Sequence, residues 1–197
     1  MINRYLLPVA AIALIAPSLA QAQFSDSFNF LKAIKDKDGE KVTDILNKPG
    51  SVIVNTRDPA TGETALHIVA QRRDATWLSF LLAKGANVDM RDAKGNTALL
   101  DAAQLGWAEG VQMLIERRAG VDIANASGTT PLIAAVQNRD VATVRLLLAA
   151  GANSTRPDNA AGLSARDYAT RDPRAAAILK ELKDAKPVAR REIAGPH

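Results

Sequence analysis

Cysteine is absent from this chain of 197 residues, and histidine occurs only twice. The lack of thiols excludes disulfide bonds, thiolate zinc sites, iron–sulfur clusters, cysteine nucleophiles and a lipidated N-terminal cysteine. Aromatic residues make up only 4% of the chain, so alanine, leucine and valine supply most of its 47% hydrophobic content. Because catalytic and metal-binding residue types are so scarce, the composition argues against an enzyme and against a bound cofactor.

A long hydrophobic run is also missing, since the most apolar stretch, residues 6–16, has only 11 residues. A membrane-spanning helix needs about 20. Arg4 precedes this run, and Ala20-Gln21-Ala22 follows it with the small residues of a signal-peptidase site. We therefore expect residues 1–22 to be a signal peptide cleaved after Ala22. The mature protein is then expected in the bacterial periplasm, without a stable membrane anchor.

The chain also lacks a basic face, although its formal net charge is +4. Residues 171–197 carry seven basic and four acidic side chains, whereas residues 23–170 are neutral overall. The positive charge therefore lies at the ends of the chain, +3 in residues 171–197 and +1 at Arg4, and does not predict nucleic-acid binding. We expect residues 185–197 to form a disordered basic tail, which is too poor in aromatic residues to anchor to lipid.

What the chain does contain is an internal period of 33 residues. Gly62-Glu63-Thr64-Ala65-Leu66 recurs as Gly95-Asn96-Thr97-Ala98-Leu99 and as Gly128-Thr129-Thr130-Pro131-Leu132. A second phrase recurs in the same register at residues 81–86, 114–119 and 147–152. Each unit predicts a short helix capped by threonine, then a second helix with apolar residues at positions i, i+3 and i+4. A glycine suited to the left-handed conformation ends most units.

This pattern resembles the ankyrin-repeat family, whose units read approximately D-x-x-G-x-T-P-L-H-x-A-A and end in L-L-x-x-G-A. The copy that begins at Thr64 includes the family's histidine, His67. The resemblance implies an all-α solenoid of about five helix-turn-helix units with hairpin-like loops, spanning residues 23–184. Three clear repeats are expected at 58–91, 92–124 and 125–157, between degenerate capping repeats at 23–57 and 158–184.

Departures from the repeat predict local adjustments. Arg118 stands where other units have glycine, so a left-handed backbone there costs about 1 kcal/mol. Gly110 is small where Trp77 stands one repeat earlier, and we expect the Trp77 ring to fill that space. Arg166 replaces a leucine and predicts a solvent-facing terminal repeat. The apolar residues expected to pack the N-terminal repeat are Phe24, Phe28, Phe30, Leu31, Ile34, Val42, Ile45 and Leu46.

The resemblance also implies a protein partner. Ankyrin partners usually lie across the hairpin tips and the exposed flank of the first helices, which together are called the concave face below. The residues carried over to that face are Glu63, Ile68, Gln71, Arg72, Lys94, Asn96, Asp101, Gln104, Leu105, Trp107, Thr129, Gln137 and Asn138.

Two groups within this set leave alternatives open. The column of Gln71, Gln104 and Gln137 is either a hydrogen-bonding floor for a partner or a solvated helix flank. Arg72 and Trp107 are the expected anchors, because interface energy concentrates in arginine and aromatic residues. The alternative for Trp107 is packing beneath its own repeat.

No residue is assigned a catalytic, metal-binding or cofactor-binding role. His67 is interpreted as a structural hydrogen bonder, because no nucleophile or metal ligand recurs with it. The sequence thus predicts a monomeric, non-catalytic periplasmic protein that binds an exported protein partner. The resemblance suggests support of an enzyme, such as a catalase in peroxide defence. The alternatives are an immunity or inhibitor protein that neutralises a toxin, and a structural envelope protein that self-associates.

Overall fold

The computed structural model describes residues 19–48 and 52–185, with the side chains of residues 26–48 and 52–185. Within these residues the chain forms no named strand and only one isolated bridge, between Pro157 and Ser164. The described helices are α1 (Leu19–Asp36), α2 (Gly39–Leu46), α3 (Ala65–Gln71), α4 (Ala75–Ala83), α5 (Ala98–Gln104), α6 (Ala108–Glu116), α7 (Pro131–Gln137), α8 (Val141–Ala149), α9 (Ala165–Arg171) and α10 (Ala176–Asp184). The predicted all-α repeat solenoid is confirmed.

Two sequence predictions fall mainly on the ends of the chain. The expected signal peptide lies outside the described residues as far as residue 18, and the expected tail does so from residue 186. Among the helices that are described, none is both long enough and apolar enough to cross a membrane.

The helices stack in two layers. The first helices α3, α5, α7 and α9 pack on one another along the solenoid, and the second helices α4, α6, α8 and α10 form the other layer. Leu66, Leu99 and Leu132 occupy the same repeat position and are no more than 2% exposed. Burial of each such leucine contributes about 1.5–3 kcal/mol, so repetition of one apolar position builds a continuous core.

The starts of the first helices follow the threonine pattern. Thr97 and Thr130 each accept a hydrogen bond at the hydroxyl from the backbone N–H three residues later, at 3.3 and 3.2 Å. In the first clear repeat the histidine takes part as well, in a capping box in which the Thr64 N–H donates to His67 Nδ1 at 3.1 Å. Pro131 opens α7, where a missing N–H costs nothing.

The loops between repeats are joined by a ladder of backbone hydrogen bonds. Ala93 N donates to Thr61 O at 2.9 Å, Ala126 N to Lys94 O at 3.0 Å, and Asn159 N to Ser127 O at 2.9 Å. Glycine is needed at these tips. Gly95 has a φ of +81°, and a Cβ there would lie 2.9 Å from Ala126 N. The ladder fixes successive hairpin tips at one edge of the stack.

The N-terminal repeat packs through α1 and α2, with Phe30, Ile34 and Val42 fully buried. The prediction that Phe28 joins this core is wrong, because its side chain is 66% exposed. Two residues along a helix correspond to a rotation of about 200°, so burial of Phe30 turns Phe28 toward solvent. The side chain of Phe24 lies outside the described residues.

The space beside Gly110 is filled differently from the prediction. A Cβ at Gly110 would lie 2.1 Å from the Trp107 ring, so the tryptophan three residues earlier covers the glycine. The expected filling of this space by Trp77 is wrong. The Trp77 ring instead lies 4.0 Å from the Cβ position of Gly39 in the N-terminal repeat.

Two other departures match their predictions. Arg118 adopts a left-handed φ of +63°, the strained conformation expected where a glycine is missing. Arg166 is exposed, as expected for a terminal repeat with one face in solvent. Its guanidinium donates to the Leu182 carbonyl at 3.0 Å and so links α9 to α10.

Candidate protein-binding surface

The concave-face residues differ widely in exposure. The exposed ones are Gln71, Lys94, Gln104, Gln137 and Asn138, and the half-buried ones are Glu63, Arg72, Leu105 and Thr129. The buried ones are Ile68, Asn96, Asp101 and Trp107, which are 4–8% exposed. A partner can therefore reach the glutamine column, whereas most of the buried set supports the surface from beneath.

Trp107 is one of the two expected anchors, and the structure places it in the interior. It is 7% exposed and its ring covers Gly110. Asp74 and Asp140 cap the second helices of the neighbouring repeats, and Trp107 stands at the corresponding position of α6. Packing beneath its own repeat, the alternative from the sequence, is the arrangement observed. Trp107 is therefore removed from the set of direct partner contacts.

Arg72, the other expected anchor, is engaged with the N-terminal repeat. Its Nη1 donates to the Ile34 carbonyl at 2.6 Å and to the Lys35 carbonyl at 3.3 Å. These carbonyls belong to the last turn of α1. Carbonyl groups at that end of a helix have no N–H partner within the helix. Nη2 lies 3.8 Å from Asp74 Oδ2. The guanidinium thus caps α1 and joins two repeats.

Asn138 has the same kind of role two repeats further along the stack. Its Nδ2 donates to the carbonyl of Gln104 at 2.6 Å and to that of Ala103 at 3.2 Å, at the end of α5. Arg72 and Asn138 are 66 residues apart, two periods, so they occupy equivalent positions. That spacing was visible in the sequence, but the carbonyls that these side chains reach were not.

His67 connects two repeats through both ring nitrogens. Nδ1 accepts from the Thr64 N–H, which leaves the proton on Nε2, and Nε2 donates to the Asn96 carbonyl at 3.0 Å. The ring is fully buried. His67 is thus a structural hydrogen bonder at the start of its repeat, and its contact with the next hairpin at Asn96 was not predicted from the sequence.

Seven of the predicted residues converge on one cleft of about 410 Å³ between the first two clear repeats. These are Glu63, Gln71, Lys94, Asn96, Asp101, Gln104 and Leu105. Asp92 also lines it, and its Oδ1 accepts the N–H groups of Lys94 at 2.9 Å and Asn96 at 2.7 Å. The cleft is therefore built on a hairpin turn whose geometry is fixed by hydrogen bonds.

Asp101 dominates the electrostatics of this cleft. Burial raises the pKa of its carboxyl to about 7 from the ordinary 3.8, and the negative charges of Asp92 and Glu63 act in the same direction. A weak hydrogen bond from Gln71 and the charge of Lys94 lower the pKa and only partly offset the rise. Near neutral pH this carboxyl is therefore divided between its protonated and ionised forms.

A second cavity, of about 570 Å³, lies at the N-terminal repeat and was not predicted. It is lined by the exposed Phe28 together with Leu31, Arg57 and Pro59. Lys35 and Asp58 border it and form an ion pair at 3.1 Å. The signal that could have located it is the helical phase of Phe28, which opposes that of Phe30.

Among residues 26–48 and 52–185, no three or more acidic or histidine side chains are grouped to hold a metal ion.

The stacked helix pairs, the hairpin ladder and the polar cleft define a helical-repeat scaffold. A family model described as ankyrin repeats (3 copies) matches residues 30–125 and, in an overlapping match, residues 66–158. The chain belongs to the ankyrin-repeat family. Ankyrin repeats are generally modules for protein–protein interaction. Comparison with curated proteins found no matching relative.

Proposed function

We propose that this protein is a non-catalytic periplasmic module that binds another exported protein through its concave face. The observation that carries the proposal is the cleft in which seven residues of that face converge. Gln71 and Gln104 project at its border, and Gln137 continues the exposed column into the next repeat. Amide side chains offer both donors and acceptors without the desolvation cost of a full charge.

Preorganisation supports binding by such a surface. The threonine caps and the inter-repeat ladder already fix the backbone, so association orders few additional groups. Arg72 and Asn138 lock neighbouring first helices to one another. A partner therefore meets a surface whose shape is set before contact, and the exposed side chains decide which partner fits.

Export of the protein rests on the sequence of residues 1–22, and the partner is accordingly taken to be exported as well. The partner class that the family resemblance suggests is an enzyme in need of support, such as a catalase in peroxide defence. Neutralisation of a toxin is the alternative within the same binding mode. The protein acts as a monomer in this proposal, and self-association is the competing outcome.

The concave face is tested by Gln104→Trp, which fills the mouth of the cleft with a bulky side chain. Gln112→Trp is the matched control, because Gln112 is also exposed but lies on α6 in the other helix layer. We expect immobilised wild type and the control to capture the same periplasmic protein, and Gln104→Trp to lose it. Equal capture by all three would reject the concave face. Light scattering of the purified protein tests the monomer.

A further inference from the structure

Asp101 breaks the repeat pattern at the base of the cleft. The equivalent positions, one period away on either side, are Ile68 and Ala134. The Asp101 residue is nevertheless only 4% exposed. A buried carboxylate is costly unless it is paired, so its presence at an otherwise apolar position calls for a physical reason.

The described part of the chain does not supply a counter-ion for Asp101. Its Oδ2 receives one long contact, from Gln71 Nε2 at 3.5 Å. That amide group is held mainly by Glu63, whose Oε1 lies 2.9 Å from it. Among the described residues, Asp101 Oδ1 has no hydrogen-bond partner, and no lysine or arginine forms an ion pair with the carboxylate. A nearly buried and largely unpartnered carboxylate thus faces an open cleft.

We propose that this cleft takes a lysine or arginine side chain of the protein partner, with Asp101 as its counter-ion. The inference rests on the proposed function and specifies the chemistry of its binding site. Three carboxylates line the cleft, those of Glu63, Asp92 and Asp101, against the single cation of Lys94. The charge therefore complements a cationic group.

The walls of the cleft suit such a side chain. Leu105 is half-buried and, with Ala93, lines the cleft with apolar surface. Lysine and arginine carry aliphatic stems that pack against apolar surface while the charged end reaches a polar group. The Gln71 and Gln104 amides border the same space and offer oxygen acceptors to the remaining N–H groups.

Occupation by a cation also couples binding to protonation. A positive charge near Asp101 favours its ionised form, so binding near neutral pH expels the proton that burial retains. The charged groups that act on Asp101 are Glu63, Asp92 and Lys94, and Gln71 contacts it as a neutral donor. The next repeat adds no charge at the positions that correspond to the cleft residues Asn96 and Gln104, because these positions hold Thr129 and Gln137.

The test uses ¹⁵N-labelled protein and two capped pentapeptides. Both have alanine at the four outer positions, and the central residue is arginine in one peptide and citrulline in the other. Citrulline keeps the shape of arginine without the charge. We expect the arginine peptide to shift the amide resonances of Lys94 and Ala102, and the citrulline peptide not to do so. Asp101→Asn should weaken the arginine peptide at least about tenfold. Asp44→Asn, at an exposed carboxylate of α2, is the matched control and should bind like wild type.

A pH series gives a readout that a purely structural role would not move. The affinity of wild type for the arginine peptide should rise about tenfold from pH 6 to pH 8, because the Asp101 pKa lies near 7. In Asp101→Asn the affinity should stay flat. Equal shifts from both peptides, equal affinity in Asp101→Asn, or no shifts up to about 10 mM peptide would overturn the cationic occupant.

Failure of this inference is separable from failure of the proposed function. If Gln104→Trp abolishes partner capture while the arginine peptide does not bind, the concave face stands and the cationic occupant is wrong. If the peptide binds through Asp101 but Gln104→Trp captures the partner normally, the cleft binds a cationic side chain that is not the partner's, and both the binding face and the partner's occupation of the cleft are wrong.

Discussion

Replacement of Asp101 by asparagine should stabilise the protein in a pH-dependent way. Burial raises the pKa of this carboxyl from 3.8 to about 7. Between pH 4 and 7 the folded protein therefore retains a proton that the unfolded chain has already released. In that interval stability falls as pH rises, and above pH 7 the penalty is complete. At 1.36 kcal/mol per pH unit, the raised pKa corresponds to roughly 4 kcal/mol.

Asparagine keeps the shape of the side chain and removes its titration. We expect the stability difference between Asp101→Asn and wild type to be about 3 kcal/mol larger at pH 8 than at pH 4.5. Urea unfolding followed by circular dichroism at both pH values measures this quantity. The exposed Asp44→Asn is the control and should change little. A difference below about 1 kcal/mol, or one equal to that of the control, would refute the electrostatic account of the cleft.

Three further predictions concern the scaffold. Arg72→Ala should lower the free energy of unfolding by about 1.5–3 kcal/mol and speed amide hydrogen exchange in α1, because α1 loses the donor to its terminal carbonyls. Unchanged exchange in α1 would contradict this. Gly95→Ala should cost more than Gly85→Ala. Both glycines have a φ of +81° and share a strain of about 1 kcal/mol, but only Gly95 has neighbouring backbone, 2.9 Å from an added Cβ. Equal losses in thermal unfolding would reject the close approach. Gly110→Ala should displace the Trp107 ring and shift its fluorescence toward the red, whereas an unchanged spectrum would contradict the packing.

The repeat architecture could be predicted because it depends on local chemistry that recurs. The roles of threonine at a helix start, leucine at fixed spacing and glycine in a tight turn can each be recognised from the few residues around them. Arg118 shows how far this extends, since its left-handed backbone followed from the register alone. The resemblance to the ankyrin family placed the seven cleft residues on one face, but their convergence on a single cleft was not predicted.

What could not be predicted depends on contacts between repeats. Arg72 looks like an exposed anchor in the sequence, but the α1 carbonyls that bind it are 37 and 38 residues away. Trp107 covers Gly110 because its ring folds back onto its own helix, a rotamer choice that spacing does not encode. Asp101 is polar in sequence, yet burial between two repeats gives it the raised pKa that defines the cleft.

The most direct measurement of partner binding by the concave face is site-specific photo-crosslinking in intact cells. A benzophenone amino acid is placed at Gln104, which borders the cleft, or at Gln112, which is exposed on the other helix layer. The account predicts one covalent adduct with another envelope protein from position 104 and none from position 112. Adducts from position 112 alone, or equal adducts from both positions, would contradict it.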